Sequence, residues 1–371
     1  MDHENRELRS TVTSEGTLRV TLDRVPLRAP EAGELLVRIE AAPINPSDLG
    51  LLFGPADMDS LSVEGSGDSL ALTAQIPAAA LPSMRARLDQ PMPVGNEAAG
   101  TVIEAGPDLS HLLGKRVAMI GGAMYAEKRL IRADACIPLP DDASAADGAS
   151  LFVNPLTALG FVETMRTEGH KAIIHAPAAS NLGQMLVKIC QEDEIGLVNI
   201  VRSQAQVDML RRLGAKHVVD SSAPDFREAL TEAVAATGAT IGFDAIGGGE
   251  TTSAMLNAME AVAQRSMEGY DRYGSRMMKQ VYIYGALDTG PTILKRGFGF
   301  SWNIGGWLLF NFLTRAEPAT AERMRQRVTD GMKTTFASHY TAEIPLADLL
   351  KPETARACQR KATGEKYLIV P

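Results

Sequence analysis

From residue 171 to residue 285, short apolar runs alternate with stretches of helical period, and this alternation constrains the fold more than any other feature. Apolar runs at 171–175, 197–201, 217–220, 241–245 and 281–285 are separated by amphipathic stretches. Those stretches begin near Leu182, end at Leu213-Gly214, and cover 226–236 and 252–262. Strand, helix and strand in that order require right-handed crossovers and hence a parallel sheet. Before residue 150 the texture differs. Runs of β character at 17–22, 35–40, 100–104, 116–120 and 125–131 are divided by Pro/Gly turns, the pattern of a compact antiparallel barrel. With 371 residues the chain has room for two domains and can bury most of its surface without staples. The expected division is 1–150 plus 315–371 for the barrel and 151–314 for the parallel sheet.

Composition removes several functions. Acidic residues outnumber basic ones by 45 to 37, a net charge of −8, and no Lys/Arg-rich run occurs. Such a surface repels phosphate backbones, so nucleic acid is not expected as a partner. The three cysteines, Cys136, Cys190 and Cys358, form no C-x-x-C pair, which excludes a zinc ribbon and fits a reducing compartment. The polar start MDHENRELRS has no apolar core of a signal peptide. The longest uncharged stretch, 297–314, is too short and too rich in Gly and Asn for a bilayer span. These features predict a soluble, cytoplasmic protein without a membrane partner. Segment 53–92 has few charges and no period, and reads equally as a surface insertion or an active-site cover.

The strongest chemical signal is KAIIHAPAASNLGQMLVKIC, a strand running through a small-residue turn into a helix. On the G-x-G-x-x-G template, Ala178, Ser180 and Gly183 take the three glycine positions, with Asn181 and Leu182 between the last two. Small residues allow a tight turn, close approach of a pyrophosphate and close packing of helix on strand. The helix start then offers free N–H groups to phosphates. Arg202, with Ser203 beside it, stands 19 positions after Gly183, where a cofactor with a free ribose diol usually meets an acid. An arginine there suits a 2′-phosphate, so NADPH is expected rather than NADH, although a solvated strand-end arginine would look the same. Two further strand ends finish in small residues, at Ala245 and at Gly285, Ala286 and Leu287. Ligands lie across the carboxyl ends of such strands.

These segments together resemble the medium-chain dehydrogenase/reductase superfamily, in its zinc-free quinone oxidoreductase and enoyl reductase-like branch. The resemblance rests on AAPINPSDL (41–49), PVGNEAAGTVIEAG (93–106), GKRVAMI (114–120), MYAEKRL (124–130), NPLTAL (154–159), the nucleotide segment, FDAIGG (243–248), YIYGAL (282–287) and GEKYLIVP (364–371). It implies an α/β protein, a GroES-like β-barrel catalytic domain plus a doubly wound Rossmann domain. Where zinc-dependent relatives carry Cys, His and Cys, this chain reads Asn45-Pro46-Ser47-Asp48, Gly95-Asn96-Glu97 and Val153-Asn154-Pro155. With no soft ligand at these positions, no metal and no zinc are expected. The resemblance places Asn45 beside nicotinamide and substrate, Thr157 on the nicotinamide face, residues 180–183 at the pyrophosphate and Arg202 at the adenosine phosphate. Composition alone also allows a turn-capping Asn45 and a helix-capping Thr157.

Hydride transfer from NADPH to a quinone or activated C=C (enone), an apolar small-molecule acceptor, is the expected function. Enoyl thioester reduction is the alternative, as is a cofactor-binding redox sensor without turnover. Enoyl reductases sharing INPSD carry a tyrosine a few residues later as proton donor. Residues 49–58 hold no Tyr, His or Lys, leaving Tyr125 as either a substitute or a structural tyrosine. His175 reads as a packed strand residue. Residues 290–300 and the aromatics Trp302, Trp307, Phe310 and Phe312 predict a homodimer, or alternatively the lining of the substrate cleft.

Overall fold

A computed structural model of the protein describes residues 4–360 and 364–371. His3 lies outside them. The chain forms two compact units, one of residues 1–153 and 329–371, the other of 154–328. The sequence places the return to the first unit at 315; in the structure it falls at Thr329. The helices Leu309–Arg315 and Pro318–Asp330 explain the shift. Arg327, on the second helix, grips both oxygens of Asp193 at 2.9 and 2.8 Å and holds the helix to the parallel-sheet unit.

The first unit contains two sheets. One follows the order Ser62–Glu64, Ala71–Gln75, Thr17–Pro26, Glu4–Val12, Met92–Pro93. The other runs Cys136–Pro138, Arg116–Ile120, Glu97–Ala105, Glu34–Pro43, Tyr367–Val370, Ala342–Pro345, with Lys128–Arg132 also paired to Glu34–Pro43. The C-terminal strand pairs antiparallel with residues 42 and 43, so the tail closes this unit. Alternation along Thr17–Pro26 and Glu4–Val12 sends Leu8, Val12, Leu18 and Val20 into one core with Leu35, Val37, Leu72 and Val117. Segment 53–92, which lacks a clear period in the sequence, is built into the first sheet. Ser62–Glu64 and Ala71–Gln75 lie within it, Met92–Pro93 starts at its last residue, and Phe53 is fully buried. Strands of two to five residues joined by 3-10 turns carry too little period to be read from sequence.

The second unit is a six-stranded parallel sheet in the order His217–Asp220, Gly196–Val201, Ala172–Ala176, Ile241–Asp244, Lys279–Ile283, Trp302–Gly306. Both neighbours of Ala172–Ala176 are parallel to it, which is the reversal point of a doubly wound sheet. The sequence series ends one strand early. Trp302–Gly306 is a sixth strand on the edge, whereas Asp288–Thr292 pairs only with Gly247–Gly249. Buried Ile174, Val198, Ile200, Val219, Leu256, Met259, Val281 and Phe298 fill one side of this sheet. The run Ala145–Thr167 is long and apolar enough to cross a bilayer, and 72% of its 18-residue apolar stretch is buried inside the protein, as in a packed core helix. All three cysteines are buried and free.

Candidate active site

The nucleotide motif folds as its composition requires. The strand Ala172–Ala176 is buried along its whole length, and the turn after it leads into helix Asn181–Glu192. Ser180 is the N-cap, its Oγ accepting from the Gly183 amide at 3.1 Å. Ala178 is fully buried, and its amide donates to the carbonyl of Ile200 on the next strand at 2.9 Å. Gly183 has no room for a side chain: a Cβ there would lie 2.1 Å from the Ala178 carbonyl oxygen. The helix start therefore packs directly on the turn, the close packing asked of the third small residue in such a motif. Leu182 packs inward, while Asn181 is half-buried at the first helical position.

Arg202 follows the strand Gly196–Val201 and is exposed; its main-chain amide donates to Gln206 Oε1 at 2.9 Å, and its guanidinium makes no ion pair among the described residues. Ser203 caps the next helix through the Gln206 amide. The other two strand ends meet each other. The amides of Leu287 and Ala245 donate to the carbonyls of Ala245 and Ala176 at 3.0 and 2.9 Å, and a Cβ on Gly285 would stand 2.9 Å from the Ala245 oxygen. Ala286 and Leu287 are exposed. The turn after Ala245 is shaped by buried Asp244, whose Oδ1 accepts from the amides of Ile246 and Gly247 and whose Oδ2 accepts from Thr252. Thr157 is buried within helix Val153–Thr167. His175 is fully buried, with Nε2 2.7 Å from the Tyr284 hydroxyl. Burial pushes its pKa down to about 3, so the ring is neutral.

In the first unit, Asn45 is buried at the N-cap of helix Pro46–Leu52 and forms a capping box with Asp48. Its Nδ2 donates to Glu97 Oε1 at 2.8 Å, and its main-chain amide to Asp48 Oδ2 at 2.8 Å. Asp48 Oδ1 accepts from the Asn96 amide at 2.9 Å. Asp48 is completely enclosed, and burial pushes its pKa up to about 7. Glu97 is also raised by burial, against the attraction of Lys366. Lys366 in turn is buried, its Nζ 2.8 Å from Ser150 Oγ, with its pKa pulled down to about 8 by loss of water. Asn96 Nδ2 reaches Ser47 Oγ at 3.0 Å. Among the described residues no group of three or more His, Cys, Asp and Glu could hold a metal.

Tyr125, offered by the sequence as either a substitute proton donor or a structural tyrosine, lies in the core of the first unit, in hydrogen-bond contact with Asp48. It is fully buried, donates to the Pro43 carbonyl at 3.1 Å, and fills the space where a Cβ on Gly95 would come within 2.6 Å of its ring. The aromatic segment also divides. Trp307 packs on Phe161 and Phe312 and donates to Thr164, whereas Phe310 is 50% exposed and residues 288–297 lie on the surface. Sequence reading assigned no task to Asp48, Glu97 or Lys366. Each stands inside a motif it used (INPSD, GNE, GEKY), but only their shared burial marks them.

Residues 31–141 match the family described as the alcohol dehydrogenase GroES-like domain. The chain is 29% identical over 208 residues to the mitochondrial enoyl-[acyl-carrier-protein] reductase of Xenopus tropicalis, covering 53% of this chain and 51% of that protein. It is 29% identical over 166 residues to the 2-haloacrylate reductase of a Burkholderia species, covering 43% and 50%. The matched region thus spans about half the length of these curated relatives. A Mesorhizobium loti structure provisionally described as an NADPH:quinone reductase superposes with a TM-score of 0.73 at 25% identity, covering 100% of this chain and 99% of that one. With the barrel sheets, the parallel sheet and the small-residue turn in place, residues 31–141 carry a GroES-like domain and the whole chain is similar in fold and sequence to the medium-chain dehydrogenase/reductase superfamily.

Proposed function

We propose that the protein is an NADPH-dependent, zinc-independent reductase of quinones or activated C=C acceptors. The observation that carries this reading is the turn after Ala172–Ala176, where a capped helix start and the bare Gly183 backbone sit one strand from an exposed Arg202 that makes no ion pair among the described residues. Ala178, Ser180, Asn181, Leu182 and Gly183 would hold the pyrophosphate through main-chain amides. Arg202 and Ser203 would take the 2′-phosphate, the guanidinium giving two parallel hydrogen bonds. Ala245, Gly285, Ala286 and Leu287, with Thr157, would line the nicotinamide half; these small residues allow a ring to lie close to backbone. When bound, the cofactor supplies the hydride. The chain's own residues orient the partners and exclude water, with Asn45 as the polar group beside the nicotinamide.

The segments that match the zinc-ligand positions, Asn45-Pro46-Ser47-Asp48, Gly95-Asn96-Glu97 and Val153-Asn154-Pro155, offer no thiolate or imidazole, the ligands zinc favours at such sites. An acceptor already polarised, such as a quinone or enone, needs no Lewis acid. The curated relatives named above, reductases of an enoyl thioester and of a haloacrylate, support a conjugated C=C as substrate. We place the protein in the cytoplasm, in keeping with three free buried thiols. We also propose a homodimer through residues 290–300 and the exposed Phe310, where the edge strand Trp302–Gly306 leaves ladder groups unpaired. A single species near the chain mass of 39.7 kDa in sedimentation at micromolar concentration would refute the dimer.

The function is tested by stopped-flow NADPH oxidation with a panel of quinones, enones and enoyl thioesters. Acceptor-dependent turnover with quinones or enones is expected. Turnover confined to thioesters would establish the enoyl reductase alternative. Tight NADPH binding with no turnover on any acceptor would leave a redox sensor.

A further inference from the structure

Glu97 is fully buried, and neither the nucleotide site nor the expected role of Asn45 requires it. Its carboxylate is nevertheless the centre of the first unit's polar network. Oε1 accepts from Asn45 Nδ2 at 2.8 Å; Oε2 accepts from the main-chain amides of Phe152 and Val153, each at 2.9 Å. These two residues are the last of the unit before the chain crosses over. We infer that Glu97 is a positioning residue for the proposed reduction: it fixes the Asn45 carboxamide in one orientation before cofactor or substrate arrives. This inference rests on the reading that Asn45 meets the nicotinamide and substrate.

The reason lies in donor and acceptor chemistry. An ionised carboxylate only accepts, so the amide nitrogen of Asn45 must face it; a flipped amide would set oxygen against oxygen. The main chain beneath the carboxamide is fixed as well: the Asn45 amide donates to Asp48 Oδ2 at 2.8 Å and the Asp48 amide donates to the Asn45 carbonyl at 3.0 Å. Buried, anchored through its backbone and gripped at Nδ2 by Glu97, the side chain has lost rotational freedom in advance, which is how a reacting site acquires precise geometry. Burying a carboxylate is costly unless its oxygens are satisfied. Here three N–H donors satisfy it, and Lys366, itself held on Ser150, supplies a buried positive charge. Anchoring the amides of Phe152 and Val153 would need only one oxygen. The second is committed to Asn45.

A double-mutant cycle of Asn45→Ala and Glu97→Gln tests this, read as the Kd for NADPH by fluorescence and as kcat and KM for a quinone. Glu97→Gln is expected to lower kcat at least about tenfold and to raise the Kd for NADPH at least about fivefold, while changing KM for the quinone less than about threefold. In the Asn45→Ala background the same substitution should change Kd and kcat/KM less than about twofold. Equal factors in both backgrounds would overturn the inference. A wild-type protein without turnover would refute the reductase reading, yet the coupling stays legible in the Kd.

Asn45→Asp keeps Glu97 and its grip on Phe152 and Val153, so it serves where Glu97→Gln does not fold. At neutral pH two carboxylates then face each other, and on acidification one takes a proton and donates as Nδ2 did. Asp48, Lys366 and Tyr125 also border this site and are common to both proteins, so the ratio of variant to wild type isolates the pair. The expected result is NADPH affinity that recovers toward wild type between pH 8 and pH 5.5. A deficit independent of pH would overturn the inference.

Discussion

The two units build their candidate sites in opposite ways. The nucleotide turn of the second unit is made of main chain: a capped helix start, a glycine whose Cβ has no space, and strand ends joined by amide–carbonyl bonds. The polar centre of the first unit is made of side chains, with Asn45, Asp48, Glu97 and Lys366 buried together and bonded across large sequence separations. Their electrostatics differ as well. The first unit keeps acid and base in one enclosed network, whereas His175 in the second is buried as a neutral ring. A backbone site tolerates side-chain change wherever no atom is added. A side-chain network tolerates change only where hydrogen bonding is preserved.

The sharpest test of this contrast is acid. His175 has its folded pKa near 3, below the ordinary value of 6.5, so the unfolded chain takes the proton first and stability falls as pH drops through that window. The loss reaches up to about 4 kcal/mol at the bottom of it. Asp48 has the opposite sign. Its folded pKa, near 7, lies above the ordinary 3.8, so its contribution is present in acid and lost as pH rises through 7. Hydrogen exchange between pH 7 and pH 4 should show the strand Ala172–Ala176 losing protection faster than Glu97–Ala105. His175→Leu should flatten the difference; equal loss in both strands would break the comparison.

Next in size is Gly183→Val. Because the added atoms meet a carbonyl oxygen rather than a movable side chain, the turn must shift, at a cost of about 3 kcal/mol. NADPH affinity should fall more than about a hundredfold. Calorimetric titration giving unchanged affinity would show that the turn is not the phosphate site.

Arg202→Asp comes third. It removes a phosphate partner and adds a like charge, so NADPH should weaken by at least about tenfold while NADH binding is kept or improved. Equal loss of both cofactors, measured by fluorescence titration, would place Arg202 elsewhere than at the 2′-phosphate.

The smallest effect belongs to Ser180→Ala, which removes the cap on the Gly183 amide. A stability loss of about 1 kcal/mol in urea unfolding is expected. A loss several times larger would mean that the side chain, not the backbone, carries this site.

What the sequence determined by itself is local. Strand, turn and helix around Ala178–Gly183 lie within a few residues of each other, so small-residue spacing and apolar period announce them without knowledge of the rest. The alternation that predicts a parallel sheet is of the same kind, and so is the arginine closing its second strand. Tertiary structure alone decided the remainder. In segment 53–92, Ala71–Gln75 becomes a strand because Thr17–Pro26 offers a ladder partner, and Ser62–Glu64 then pairs with it in turn; Met92–Pro93 at the segment's end pairs with Glu4–Val12. The sixth strand of the parallel sheet and the boundary at Thr329 are likewise set by pairing and by the grip of Arg327 on Asp193. Glu97 finds Asn45 across 52 positions and Phe152 across 55, distances over which residue spacing carries no information. A buried carboxylate acquires its role from whichever donors the fold brings to it, because only enclosure makes an unmet hydrogen bond costly.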